Sequence, residues 1–95
     1  MIDLEKKYLD FIQQTIANYL RDYKLYIFGS RAKNNAKEYS DIDLAIDSTE
    51  LTPEIKSKIE AFFEASTLPY EVDIVDLNNV TENFKQLIKE DLIKI

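Results

Sequence analysis

Apolar side chains recur at intervals of three and four positions along the first part of the chain. The apolar positions are Leu4, Tyr8, Phe11, Ile12, Ile16, Tyr19 and Leu20. Charged and amide side chains fall between them, so that the apolar groups share one stripe of a helix. The pattern therefore predicts an amphipathic helix over residues 2–23.

Short stretches further along have the length and composition of β-strands. Residues 24–28 (KLYIF) are aromatic and β-branched, and Gly29 ends them. Residues 41–47 (DIDLAID) alternate strictly, which places apolar and polar side chains on opposite faces of a strand. The apolar face carries Ile42, Leu44 and Ile46, and the other face carries Asp41, Asp43, Ala45 and Asp47. Residues 70–77 (YEVDIVDL) predict a third strand, and residues 92–95 predict a short edge strand.

Helix signals separate these strands. Residues 30–36 are rich in Ala, Lys and Arg and predict a short helix. Thr52 and Pro53 provide an N-cap with proline at the first helical position, and that helix ends before Pro69. Thr81 begins a last helix. The side chains expected to point inward are Ile55, Ile59, Phe62 and Phe63 in the first of these two helices and Phe84, Leu87 and Ile88 in the second.

The order of elements, α-β-α-β-α-β-α with a final edge strand, predicts an α/β (α+β) fold. A chain of 95 residues has room for one domain, which we expect to span residues 1–95. We expect a short mixed β-sheet with helices packed on one face. The other face is then open, and it carries the polar side of the strand at residues 41–47.

Composition narrows the chemistry that this fold can perform. The chain has no cysteine and no histidine, which excludes disulfides, Cys/His zinc sites, Ser-His-Asp triads and histidine bases. The formal net charge of −6 argues against direct nucleic-acid binding, because phosphate groups need a basic face. The charged N-terminus is no signal peptide, and no apolar run approaches the ~20 residues that span a membrane. We therefore expect a cytoplasmic protein without membrane contact.

Three aspartates are the strongest candidates for catalysis. Asp41 and Asp43 lie two positions apart on one strand, so they project from the same face about 6.5–7 Å apart. At that separation their repulsion costs about 2–3 kcal/mol at an effective dielectric of roughly 20, and Mg²⁺ or Mn²⁺ removes it. If the strands are neighbours, Asp73 of the third strand emerges on the same face. Three such carboxylates can hold the two metal ions used in nucleotidyl transfer.

The Gly29-Ser30 pair is the candidate phosphate site. Glycine lets the backbone approach a phosphate closely, and the N–H groups and the serine hydroxyl can donate to it. The segment that follows is locally basic, with Arg31, Lys33 and Lys37 against Glu38. This local charge predicts that a triphosphate lies here.

Each of these features also has a simpler interpretation. An Asp-x-Asp pattern on an amphipathic strand is usually a solvated edge, and Gly-Ser after a strand is usually a turn. Asp73 alone can be a surface residue. The order favours a shared site, because chance rarely places a strand, Gly-Ser, a basic helix, an Asp-x-Asp strand, a helix and an Asp strand in this succession.

Three motifs resemble those of the minimal nucleotidyltransferase family of the DNA polymerase β superfamily, over nearly the whole chain. They are G29-S30-R31-A32, S40-D41-I42-D43-L44-A45-I46 and V72-D73-I74-V75-D76-L77. The resemblance implies the polymerase-β-like fold, a short mixed sheet with helices packed on one face. The family commonly has another glycine where Asn34 stands. Asn tolerates a left-handed backbone better than most residues.

The resemblance also implies roles for individual residues. Gly29 and Ser30 would hold the nucleotide phosphates, and Arg31 and Ser40 would bind the nucleotide from the same motifs. Asp41 and Asp43 would ligate two Mg²⁺ ions, with Mn²⁺ as a substitute, and Asp73 would complete the metal site beside the attacking hydroxyl. Each of these residues lies in one of the three motifs that carry the resemblance.

The implied activity is transfer of an NMP unit, AMP from ATP, to a hydroxyl acceptor. In this family, stand-alone chains pair with a helical HEPN-type toxin and act as antitoxins, some by adenylylating a tyrosine of the toxin. We therefore expect a hetero-oligomer, with surplus aromatic residues on the first helix available to the partner: Tyr8, Phe11, Tyr19 and Tyr23. Two alternatives remain open: the catalytic subunit of a two-part transferase for small molecules such as aminoglycosides, and a non-catalytic antitoxin that covers its partner.

Overall fold

A computed structural model describes residues 2–33 and 40–95. The helices and strands follow one another along these residues. They are α1 (Lys6–Tyr19), β1 (Lys24–Phe28), a 3₁₀ turn (Gly29–Arg31), β2 (Ile42–Asp47), α2 (Pro53–Ala65), β3 (Val72–Asp76), α3 (Glu82–Ile88), a 3₁₀ turn (Lys89–Asp91) and β4 (Ile93–Lys94). The predictions for Asn34, Lys37 and Glu38, and residues 34–36 of the short helix predicted over residues 30–36, lie outside the described residues. The described start of that segment is the 3₁₀ turn Gly29–Arg31.

The strands of the described residues form one mixed sheet in the order β3-β2-β1-β4. Strand β1 is antiparallel to both β2 and β4, whereas β2 and β3 are parallel. A parallel pair needs a crossover connection, and α2 provides it. The predicted strands are confirmed, including the edge strand and the neighbouring position of the second and third strands.

The apolar side chains of β2 bind the sheet to its helices. Ile42, Leu44 and Ile46 are fully buried and belong to one apolar cluster. Helix α1 contributes Ile12 and Ile16 to this cluster, and α2 contributes Ile59 and Phe63. The alternation of residues 41–47 therefore serves to bury one face of β2 beneath α1 and α2, as predicted. Ala45 points to the opposite face but is also fully buried, between its register partners Tyr26 and Val75.

Helix α1 is shorter than the predicted helix over residues 2–23, because long-range contacts use the backbone at both ends. Before the helix, the N–H of Asp3 donates to the carbonyl of Arg31 over 2.7 Å. After it, Leu20 is extended, with φ of −128°. The next two N–H groups, of Arg21 and Asp22, donate to the Glu50 carboxylate over 2.9 and 3.0 Å. Neither contact connects neighbours along the helix, so the spacing of apolar residues cannot reveal them.

The predicted N-cap at Thr52 is confirmed, and Thr81, the predicted start of the last helix, is also an N-cap. The Thr52 hydroxyl accepts a hydrogen bond from the N–H of Ile55 over 3.1 Å, with Pro53 as the first helical residue. The Thr81 hydroxyl accepts one from the N–H of Phe84 over 3.2 Å. Each cap satisfies a backbone donor that the first turn of a helix otherwise leaves unpaired.

Two side chains predicted to point inward are exposed. Leu87 of α3 is 77% exposed, because this seven-residue helix buries Ile88 on its other side. Phe62 of α2 is 42% exposed at the edge of an aromatic group. Its ring packs against Phe11 and Tyr19 of α1, with centroids 6.2 and 6.4 Å away.

The surplus aromatic residues of the first helix are half-buried and pack within the chain. Tyr8 meets the Tyr70 ring edge to face, with centroids 5.5 Å apart. Phe11 and Tyr19 pack on α2 through Phe62, and Tyr23 packs against the main apolar cluster. Their use as a partner surface stays a prediction. In the parts of the chain that the structure describes, helices long and apolar enough for a bilayer are absent.

Glu50 provides a test of how the end of α1 is held. Its carboxylate accepts the N–H groups of Arg21 and Asp22, and these bonds hold the pKa of Glu50 below its ordinary value of 4.5. Because the folded-state pKa is lowered, the stabilisation is present above the unfolded pKa and is lost as pH falls through the folded pKa. We expect Glu50→Gln to lower the urea midpoint at pH 7, and we expect this difference from the wild type to shrink as pH falls through the folded-state pKa of Glu50.

The control for this titration is Glu90→Gln, at an exposed carboxylate in the last 3₁₀ turn. This variant should follow the wild type at every pH. If the wild-type and Glu50→Gln midpoints stayed equally far apart from pH 7 to pH 3, the charge on Glu50 would not be the source of the stabilisation.

Candidate active site

Two aspartates face each other on adjacent strands in the middle of the sheet. Asp43 of β2 and Asp73 of β3 are register partners in the parallel pair. Neighbouring strands lie about 4.8 Å apart. Both residues project from the face opposite the apolar cluster, because their neighbours in each strand point into it. The register therefore places these two side chains next to each other on one face, as predicted.

The pKa of Asp43 is raised above its ordinary value of 3.8. Burial of the half-buried carboxyl is the largest cause, followed by the negative charges of Asp73 and Asp41. Within residues 2–33 and 40–95, neither Asp43 nor Asp73 has a basic side chain at ion-pair distance. The site therefore holds negative charge that a cation would stabilise.

Asp41 lies just before β2 and is exposed. It is close enough to raise the pKa of Asp43. Among the described residues, however, no group of three acidic side chains is tight enough to hold a metal ion. The structure therefore joins Asp43 and Asp73 directly and leaves Asp41 at the margin of the site.

Gly29 ends β1 beside this pair of aspartates. Its φ of 74° lies in the left-handed region that favours glycine. Its neighbour Phe28 is the register partner of Asp43 across the antiparallel pair. A Cβ built on Gly29 would collide with the Asp43 carboxylate. The glycine thus leaves room for the Asp43 carboxylate, a steric reason for glycine that is separate from the predicted approach of a phosphate.

The other predicted nucleotide ligands lie near this turn. Ser30 is half-buried in the 3₁₀ turn, which is closed by the N–H groups of Ala32 and Lys33 donating to the Gly29 carbonyl. Lys33 forms an ion pair with Asp91 over 3.3 Å. Ser40 is half-buried and immediately precedes Asp41.

Arg31 differs from the basic surface residue that the sequence suggests. It is only 5% exposed. Its guanidinium donates to the carbonyls of Asp3 and Ser40, each over 3.0 Å, and lies 4.3 Å above the centroid of the Tyr70 ring. Direct contact of Arg31 with a nucleotide stays a prediction. These contacts cannot be recognised from the sequence, because the partners of Arg31 are two backbone carbonyls and a ring distant along the chain.

A cleft of about 520 Å³ opens beside Asp73. Its apolar lining includes Phe63, Leu68 and Tyr70. Carboxylates at Glu60, Glu64 and Glu71 also line it. Asp73 therefore borders a groove with apolar walls and acidic groups.

Comparison with known proteins places this geometry in a family. The family described as polymerase beta, nucleotidyltransferase matches residues 11–95. The chain belongs to this family. The matched part includes Gly29, Asp43 and Asp73, so the family resemblance drawn from the motifs is confirmed.

A curated relative and two solved structures are similar to this family member. The probable protein adenylyltransferase MntA of Haemophilus influenzae is 34% identical over 95 residues, which are 99% of this chain and 83% of that protein. The tri-AMPylated Shewanella oneidensis HEPN toxin in complex with MNT antitoxin provides a chain with a TM-score of 0.75 at 20% identity, covering 96% of this chain and 71% of that one. A toxin–antitoxin crystal structure with AMP-PNP gives 0.77 at 23% identity, covering 90% and 69%. These structures share the fold.

Gly29→Ala tests the close approach to Asp43. The new Cβ would meet the Asp43 carboxylate and hold a strained left-handed backbone, so we expect a loss of about 1–2 kcal/mol in the free energy of unfolding. In an Asp43→Ala background the collision is gone and the backbone strain remains, so the loss should be smaller. Urea denaturation of the four proteins provides the comparison. An equal loss in both backgrounds would show that the carboxylate plays no part.

Proposed function

We propose that this polymerase β family member is a protein adenylyltransferase. It transfers AMP from ATP to a hydroxyl of a helical HEPN-type toxin and releases pyrophosphate. By modifying the toxin in this way, the chain acts as an antitoxin. The 34% identical relative named as a probable protein adenylyltransferase supports the activity. The Shewanella complex, which holds an AMPylated HEPN toxin and an MNT antitoxin, supports the acceptor and the hetero-oligomer. We place the reaction in the cytoplasm, where ATP is available.

One observation carries the proposal: Asp43 and Asp73 are paired in register beside Gly29 on the sheet face opposite the core. Over residues 2–33 and 40–95 no basic side chain lies at ion-pair distance from either carboxylate. Burial, followed by the charges of Asp73 and Asp41, raises the pKa of Asp43, so the charged pair is costly to maintain. In cation-dependent phosphoryl transfer, such a pair of carboxylates would serve as ligands of the divalent cations. A surface role alone does not require the left-handed glycine that accommodates it.

The aspartates fit the hard cations that this chemistry uses, because carboxylate oxygens are the preferred ligands of Mg²⁺. We propose that Asp41 and Asp43 ligate both of two Mg²⁺ ions and that Asp73 completes the site near the acceptor. When bound, such ions lower the pKa of the acceptor hydroxyl and stabilise the leaving pyrophosphate. Mn²⁺ would serve as a substitute. The protein's part is to hold Asp43 and Asp73 on adjacent strands, with Asp41 just before β2.

The nucleotide would lie along the turn after β1. Gly29 closely approaches Asp43, and the backbone N–H groups of Gly29 and Ser30 and the Ser30 hydroxyl would donate to a triphosphate there. Ser40 is next to Asp41 in the chain and would donate its hydroxyl as well. The chain therefore orients the nucleotide with groups from two segments.

The acceptor would enter by the cleft beside Asp73. This groove has the apolar side chains Phe63, Leu68 and Tyr70 and the carboxylates Glu60, Glu64 and Glu71. A tyrosine in a basic segment of the partner fits both properties, since its ring is apolar and the flanking charge is complementary. Attraction of this kind weakens as salt increases.

Asp43→Asn tests the role of the central carboxylate. With Mg²⁺ and ATP at 100 times Kd, the wild type should gain about 2.7 kcal/mol in stability. The variant should lose this gain, while its ligand-free melting temperature should equal or exceed that of the wild type because repulsion by Asp73 and Asp41 is removed. Asp10→Asn is the control, at an exposed aspartate of α1, and should keep the nucleotide effect. Wild-type nucleotide stabilisation in Asp43→Asn would contradict the proposed site.

Co-expression with the product of the neighbouring gene tests the acceptor. We expect a stable complex by size exclusion, with intact-mass gains of whole AMP units on the partner that disappear in Asp41→Asn. A stable complex without any mass gain would instead support the non-catalytic antitoxin. If the chain neither binds nor modifies the neighbouring gene product but transfers AMP to a small hydroxyl compound, the result would support the two-part small-molecule transferase.

A further inference from the structure

We propose that Arg31 is a positioning residue that holds the segments of the active site together and does not bind the nucleotide. The inference rests on the proposed function, because it concerns the geometry of that same site. Arg31 directly follows Ser30, and its guanidinium contacts the residues that precede Asp41 and Asp73 along the chain. One side chain thus connects the three segments that carry the candidate ligands.

Two hydrogen bonds of the Arg31 guanidinium are directed to the backbone of the described residues. Nη1 donates to the Asp3 carbonyl and Nη2 to the Ser40 carbonyl, each over 3.0 Å. The backbone of Arg31 also takes part, since its carbonyl accepts the N–H of Asp3 over 2.7 Å. At 5% exposure the side chain is nearly enclosed. A guanidinium used in this way has its planar fork directed at protein atoms.

The face of the guanidinium provides a third contact. Its central carbon lies 4.3 Å above the centroid of Tyr70, a distance at which cation and ring attract each other. The Tyr70 ring is itself held by Tyr8 of α1, edge to face with centroids 5.5 Å apart. Tyr70 lies three residues before Asp73, so the contact restrains the chain as it enters β3.

These contacts act where the sheet no longer restrains the site. The first bond between the two parallel strands runs from the N–H of Ile42 to the carbonyl of Glu71 over 2.9 Å. Asp41 and Ser40 lie beyond that bond, without a position in the strand ladder. The Arg31 bond to the Ser40 carbonyl extends the connection past the end of the strand. Through it, Arg31 would set the position of Asp41 relative to Asp43.

Lysine distinguishes this role from phosphate binding. A lysine ammonium can replace an arginine as a point charge beside a phosphate. It cannot reproduce a planar fork that spans two carbonyls while stacking on a ring. If Arg31 positions the site, Arg31→Lys should therefore weaken Mg²⁺-ATP binding as much as Arg31→Met does. If Arg31 contacts the triphosphate, Arg31→Lys should weaken binding much less than Arg31→Met.

The test measures the Kd for Mg²⁺-ATP by titration over a series of salt concentrations. We expect Arg31→Lys and Arg31→Met to weaken binding about 10- to 100-fold, the range typical of residues that position metal ligands. The salt dependence should remain that of the wild type. Tyr70→Leu should weaken binding similarly, Tyr70→Phe should restore it, and the Arg31→Lys/Tyr70→Leu double variant should be less than additive. Ser48→Ala, at a buried serine joined to Asp22 and Glu50, is the control for general loss of stability and should keep its affinity.

A second measurement does not depend on the nucleotide. In the ligand-free protein, amide hydrogen exchange of Ser40 and Asp41 should be faster in Arg31→Lys and Tyr70→Leu than in wild type or Ser48→Ala. If the wild type fails to bind Mg²⁺-ATP, the proposed function is wrong, and exchange still tests the role of Arg31. Near-wild-type binding in Arg31→Lys, with a weaker salt dependence in Arg31→Met, would overturn the proposal. Unchanged exchange at Ser40 and Asp41 in both variants would also overturn it.

Discussion

The parallel pairing of β2 and β3 is the constraint on which the rest of the structure depends. Each strand has one face in the apolar cluster, through Leu44 and Ile74, and this burial decides which side chains remain on the other face. A shift of one residue in either strand would bury an aspartate and expose an isoleucine. Core packing and the placement of Asp43 beside Asp73 are therefore the same structural fact. The negative charge is tolerated because the opposite face is so well buried.

Much of the fold could be predicted because its signals are local. The alternation along residues 41–47, the caps at Thr52 and Thr81 and the break at Gly29 each appear within a few positions. The ends of α1 could not be predicted, because backbone groups there bond to Arg31 and Glu50, which are distant in sequence. The exposure of Leu87 was also missed, since a seven-residue helix shows too few turns to identify its buried side.

The site was predictable to a different degree. The motifs identified the family, and strand alternation placed Asp43 and Asp73 on one face, in agreement with the register. The enclosed Arg31 could not be predicted from its position in a basic segment, because charge along the chain carries no information about which side chains become buried. The contact that encloses it involves a tyrosine from the far end of the α2 crossover. Such a pair requires the assembled sheet.

The crossover through α2 has a consequence for how this protein acquires its site. Helix α2 lies between Asp43 and Asp73 along the chain, so the two residues come together only after the whole intervening segment has closed into a loop. Loop closure of this length costs entropy before the contact returns any energy, whereas the β1–β2 pairing forms between nearer segments. A chain that has formed only this antiparallel pair therefore holds Gly29 next to Asp43 but lacks the second carboxylate. We therefore expect the carboxylate pair to form after the β1–β2 pair, once β3 has joined β2.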